Sequence, residues 1–180
     1  MLFRSREYAR INYGPWDRIN GNAPFLDGVG DKPAGANLYP RDMSKAEFEA
    51  AAAADPALAE LYTMVVRDAD ETLTAIPYHE AFAEHLQRAS EELLAAAEYA
   101  DEPGLKNYLT LRAEALVTGE YFESDMAWMD MKDNRIEMVV GPIETYEDAL
   151  FGYKAAAEAF VLIKDMSWSE RLSRYAQLLP

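Results

Sequence analysis

Three side chains able to do chemistry fall within one stretch, GPIETYEDALFGYKAAAEAFVLI over residues 141–163: Glu144, Tyr146 and Glu158. Carboxylates can hold a cationic group, and a phenol can donate or accept a hydrogen bond. Glu158 is the only charge between Ala155 and Ile163. A helix that is apolar nearly all round is a buried helix, and the alanine-rich run predicts one from about Tyr146 to Lys164. On it Glu158 neighbours Phe151, Ala155 and Leu162, with Lys154 as the i−4 partner. Burying an unpaired carboxylate costs several kcal/mol, so Glu158 is paired internally, protonated, or kept for a cationic group of a ligand.

Other constellations read as structure. His79-Glu80 with His85 invites a zinc-helix reading, but the helical motif needs its histidines about one turn apart. Here the spacing is six residues, which turns the side chains about 120° from each other. Ordinary helix-surface histidines account for them. The acidic set Glu120, Glu123, Asp125 and Asp130 lacks the alternating ligands and central glycine of a calcium loop and reads as a solvated face. Trp128 with Met126, Met129 and Met131 reads as core packing. Gly28-Val29-Gly30 lacks the third glycine of a dinucleotide loop and is followed by Pro33.

The elements that must position these residues are mainly helical. Residues 12–42 show no sustained period and are punctuated by glycine and proline, but Trp16, Phe25, Leu26, Leu38 and Tyr39 predict that this long irregular segment is pinned to a larger body. Ser44 with Glu47 is a capping box for a first helix. Pro56 predicts the first turn of a second helix through about Ala69. A long helix over Pro77–Tyr99 carries the stripe Tyr78, Phe82, Leu86, Ala89, Leu93, Ala97. Helices follow over Pro103–Val117 and Tyr121–Met131. Ile136–Val140 reads as a short strand ended by Gly141-Pro142, and Thr145 with Asp148 as the cap of the helix carrying Glu158. A last helix begins near Ser167, with Ser169 as its cap. The expected fold is a mainly α domain with one or two short strands, in which residues 1–43 pack on a helical region 44–180. The chain stops just after an apolar pair, which predicts that the sequence continues.

At 180 residues the chain can bury roughly two thirds of its unfolded surface. A formal net charge of −15 argues against a nucleic-acid partner, which would require basic patches. Without cysteine, disulfides and thiolate metal sites are excluded. No run approaches the roughly 20 apolar residues of a membrane span, so the chain reads as soluble and cytoplasmic, with no membrane partner.

The stretch GPIETYEDALFGYKAAAEAFVLIKD resembles the glycine, Glu-(Ser/Thr)-Tyr, acidic pair, Phe-Gly, basic residue and Glu-x-Phe segment of the dipeptidyl peptidase III family of zinc metallopeptidases. INYGPWDRINGNAPF, GANLYPRDM, IPYHEAF and ESDMAWMDMKDN also resemble the bacterial branch of that family. The resemblance implies an enzyme that cleaves dipeptides from free peptide N-termini between two lobes. The family's zinc sits on a His-Glu-x-x-x-His helix completed by a Glu-Glu-x-Arg-Ala motif, and neither occurs in this sequence. The chain thus resembles the N-terminal, substrate-binding part of a larger two-lobed peptidase, inactive alone, with zinc as a cofactor that takes no ligand from it. By the same resemblance Glu144 binds the substrate α-ammonium, Glu158 assists, and Tyr146 donates to the oxyanion. Relative to the animal enzymes, ETYEDALFGYK carries one extra residue and no proline after the acidic pair, a departure that bears on Glu158. The alternative reading is a non-catalytic peptide- or amine-binding helical module.

Overall fold

The computed structural model describes residues 3–178. Met1, Leu2 and, from the apolar ending, Leu179 and Pro180 lie outside the described residues. The chain opens with a helix that periodicity did not predict, α1 (Phe3–Ile11). The segment after it is irregular apart from a two-residue antiparallel pair, β1 (Trp16–Asp17) and β2 (Ala23–Pro24). The Trp16 indole donates to the Gly30 carbonyl at 2.8 Å, and Leu38 and Tyr39 are buried with Phe48, Leu58, Val65 and Tyr78.

Helix α2 (Lys45–Ala54) begins at the predicted capping box: Ser44 Oγ accepts from the Glu47 N–H at 3.1 Å. The helix expected over residues 56–69 does not form. Pro56–Ala59 make one 3₁₀ turn, and the chain then enters an antiparallel hairpin of β3 (Thr63–Arg67) and β4 (Leu73–Pro77). The β-branched run TMVVR favours a pleated, half-buried strand over a helix. Asp68 closes the turn by accepting from the N–H groups of Asp70 and Thr72.

The long helix is interrupted at Phe82 into α3 (Tyr78–Ala81) and α4 (Ala83–Tyr99), but its predicted stripe faces inward, with Tyr78, Leu93 and Ala97 buried. α5 (Pro103–Thr118) ends at Gly119, in the left-handed region at φ 82°. His79 packs on this glycine, where any Cβ would sit 2.7 Å from its Nδ1. α6 (Phe122–Asp130) completes a bundle whose core includes Leu93, Leu105, Tyr108, Leu109, Leu116 and Met131. Met131 is the only one of the Trp128 group that is buried. Trp128 is instead 39% exposed and donates its indole N–H to Glu137 at 2.7 Å, because α6 turns its other face inward through Ser124 and Ala127.

The largest departure follows. The predicted strand extends to Glu144 as β5 (Ile136–Glu144), and residues 156–163 form β6 (Ala156–Ile163), not a helix. β5 and β6 pair antiparallel from Ile136 opposite Ile163 to Glu144 opposite Ala156. Alanine favours helix locally, but pairing with β5 satisfies the backbone, and Phe160, Val161 and Ile163 suit a strand. Lys164 donates to Glu137 across the far end of the ribbon at 2.8 Å. The last helix, α7 (Met166–Ala176), is capped by Asp165 rather than Ser169, its carboxylate accepting from the Ser167 N–H at 3.0 Å.

Among the described residues helix accounts for about 45% and strand for 18%, so helices predominate, but three separate two-stranded sheets replace the one or two short strands expected. Among the described residues no helix is long and apolar enough to cross a membrane.

Candidate functional site

The hairpin changes what Glu144, Tyr146 and Glu158 can do. A residue on one strand of an antiparallel pair shares its face with the residue opposite and with that residue's i±2 neighbours. Gly141 lies opposite Glu158 and Glu144 opposite Ala156, with a bulge between Pro142 and Glu144. The extra residue restores Glu144 to the face of Ala156 and Glu158, where strict alternation from Gly141 would have turned it away. Glu144 is exposed and Glu158 half-buried.

Tyr146 lies just past β5. Its hydroxyl donates to Glu158 Oε1 at 2.8 Å, and this bond to a carboxylate raises the phenol pKa above its ordinary value. The structure thus joins Tyr146 directly to Glu158. Lys154, the i−4 candidate for an internal partner of Glu158, is elsewhere: it is fully buried and donates to the carbonyls of Leu58 and Glu60, both at 2.7 Å, and to Thr63 Oγ1 at 2.6 Å. Among the described residues no cation pairs with Glu144 or Glu158.

Two anchors hold this arrangement. At the β5 end, Gly141 has φ 123°, and a Cβ there would lie 3.4 Å from Arg112 Nη1. Arg112 is itself buried between the rings of Tyr108 and Tyr121 and ion-paired to Asp125, whose side chain stays 53% exposed. Glycine lets the ribbon lie against α5.

The second anchor is Asp148, expected as a capping residue and found as the hub of a loop. It is 3% exposed and accepts from the Tyr39 hydroxyl at 2.7 Å and from the N–H groups of Leu150, Phe151, Tyr153 and Lys154. Burial alone would raise its pKa, but these donors outweigh that and hold it below the ordinary value. The neighbouring Glu147 is gripped by Arg18 and by Lys32, the latter at 2.6 Å. Burial pushes Glu147 up, and the two cations bring it below its usual range. Beside Tyr146, an open cleft of about 440 Å³ is lined by Arg18, Asn22, Lys32 and Glu147.

Glu147, Asp148, Arg18 and Lys32 were not singled out from the sequence as site residues. The acidic pair after Tyr146 and the aromatic, glycine-rich 12–42 segment were the available signals, but only the fold joins them.

The sequence pattern of peptidase family M49 matches residues 79–178, more than half of the chain. The chain belongs to peptidase family M49. Two solved bacterial M49-type structures are similar to it: DPP III from Caldithrix abyssi, 48% identical with a TM-score of 0.89, and dipeptidyl-peptidase III from Corallococcus sp. strain EGB, 34% identical with a TM-score of 0.89. They align with 96% and 97% of this chain respectively, and the chain spans 33% of the length of each. An Arabidopsis thaliana protein described as Nudix hydrolase 3 is 34% identical over 88% of this chain, which spans 27% of that protein.

M49 is a metallopeptidase family, so the residues present can be tested against a metal. Among the described residues no three of His, Cys, Asp and Glu come together as a metal site. His79 is half-buried against Gly119 and His85 is exposed on α4.

Proposed function

We propose that this chain is the N-terminal, substrate-binding portion of a zinc-dependent dipeptidyl peptidase III-like metallopeptidase that removes dipeptides from peptide N-termini. Its zinc ligands would lie outside this chain, and alone the chain would bind peptide without hydrolysing it. Residues 1–43 and 44–180 would act as one incomplete structural unit, and a cytoplasmic location accords with a sequence free of cysteine.

Glu144 would accept hydrogen bonds from the free α-ammonium of the peptide, and Glu158 would assist from the same face of the hairpin. Tyr146 would donate to the oxyanion that develops on the scissile carbonyl. The observation that carries this reading is the 2.8 Å bond between Tyr146 and Glu158. It supports a phenol and an anionic pair acting at one place, where among the described residues neither carboxylate is neutralised by a cation.

In the full-length protein, Tyr146→Phe should slow dipeptide release by about 100-fold, the scale of losing one oxyanion donor. An unchanged rate would sink the oxyanion role. Glu144→Gln should weaken binding of unblocked peptides far more than of N-acylated ones, and equal effects would refute the amine-binding role.

A further inference from the structure

The Tyr146 phenol has one proton to give, and it is already given. The hydroxyl donates to Glu158 Oε1 at 2.8 Å even though the Tyr146 side chain, 61% exposed, has solvent available instead. A hydroxyl has a single O–H donor. While Glu158 holds it, it cannot also stabilise charge on a reacting carbonyl. Two other charged groups act on the phenol, Glu147 and Arg18, and these are paired with each other. Among the described residues no cation compensates Glu158, and its charge holds the phenolic proton.

A primary ammonium removes that hold. Placed on Glu158 it neutralises the carboxylate and supplies three donors to compete with the one phenolic proton. The bulge that brings Glu144 onto the face of Glu158 offers the ammonium a second carboxylate at the same time. Resting on the amine-binding role proposed above, we infer that the Tyr146–Glu158 hydrogen bond is a substrate-operated latch: the free α-amine of a peptide takes Glu158, and Tyr146 is thereby released to donate to the reacting carbonyl. A blocked N-terminus leaves the latch closed, so discrimination against acylated peptides acts on the rate as well as on binding.

The test follows the phenol directly. With ¹³Cζ-labelled tyrosine, the Tyr146 resonance is identified by its loss in Tyr146→Phe, and the protein is titrated with tetra-alanine and with N-acetyl-tetra-alanine. Tetra-alanine should move the resonance toward that of a solvent-exposed tyrosine, and the acetylated peptide should leave it in place. Glu158→Ala, which removes the acceptor, should show the released position without peptide. Tyr146→Phe should bind tetra-alanine roughly three- to tenfold more tightly, because no phenol has to be displaced.

Glu144-dependent binding of tetra-alanine with an unmoved Tyr146 resonance and no tighter binding by Tyr146→Phe overturns the latch and leaves the amine-binding role standing. Equal binding of the two peptides overturns both.

Discussion

Tyr39 donates its hydroxyl to the Asp148 carboxylate over 2.7 Å, so the irregular N-terminal segment and the loop following Tyr146 are joined by one buried bond. The bond lies 109 residues apart in sequence, and both partners are almost wholly buried. The same carboxylate collects four backbone N–H groups from residues 150–154, which turns the chain from β5 back toward β6. The loop is therefore a shaped connection, and the Tyr146–Glu158 contact depends on its shape.

Asp148→Ala should lower stability by about 2–4 kcal/mol in denaturant unfolding, because it strands buried donors in addition to losing their bonds. Tyr39→Phe removes a single donor and should cost about 1 kcal/mol. Since the folded pKa of Asp148 is depressed, its contribution is fully present above the unfolded value near 3.9 and is lost as pH falls through the folded one. The stability difference between wild type and Asp148→Ala should accordingly shrink only below about pH 4.

Lys154 should leave a signature at the other end of the pH scale. Burial lowers its pKa to about 8, against an ordinary lysine value of 10.5. Between those values the unfolded chain holds a proton that the folded protein has released, so stability from this group rises with pH. Lys154→Met should abolish that rise in unfolding free energies measured from pH 8 to 10. A wild-type minus variant difference that stays flat over this window would contradict it.

Above about pH 10 the sign reverses. Burial raises the hydroxyls of Tyr39 and Tyr78, and pushes Tyr121 up to about 12. Raised groups contribute stability that is fully present below the unfolded tyrosine value and lost as pH rises through the folded one. Wild type and Lys154→Met should therefore share a steep alkaline decline, and Tyr121→Phe should soften it.

Glu147→Gln should loosen the N-terminal segment without unfolding the body. The variant keeps the shape of a side chain only 12% exposed but removes the charge that holds Arg18 and Lys32. Limited proteolysis should cut within residues 12–42 several-fold faster, while the Tm should fall by only a few degrees, as expected for about 1 kcal/mol in a chain of this size. Unchanged cleavage would mean that the aromatic contacts alone pin the segment.

Gly141→Val should be the most damaging single change in the ribbon. Its φ of 123° is strained for any L side chain, and the added carbons would press on Arg112, Tyr121 and Leu116. The expected loss exceeds about 1 kcal/mol, and the Tyr146 resonance should move as the ribbon shifts off α5. Retention of both stability and that resonance would show that the glycine is not required for the close approach.

The amino-acid sequence by itself determined the local elements. Helices α2, α4, α5 and α6 are legible because caps and apolar stripes act over one or two turns, where every interacting residue is near in the chain. The β3–β4 hairpin left a readable trace in TMVVR and LTAIP either side of Asp68–Thr72, but Pro56 and the preceding alanines favoured helix.

Only the tertiary structure decided the site. Read as a helix, residues 146 and 158 stand about 18 Å apart along the axis. In the hairpin they are hydrogen-bonded at 2.8 Å. Alanine's helix preference is a few tenths of a kcal/mol per residue, and pairing with β5 overrides it through backbone bonds to residues some twenty positions away. The same long-range choice sends Lys154 to Leu58, Glu60 and Thr63 and leaves Glu158 to Tyr146. A sequence window cannot see such a choice, because the partners that make it favourable are brought together only when the chain closes.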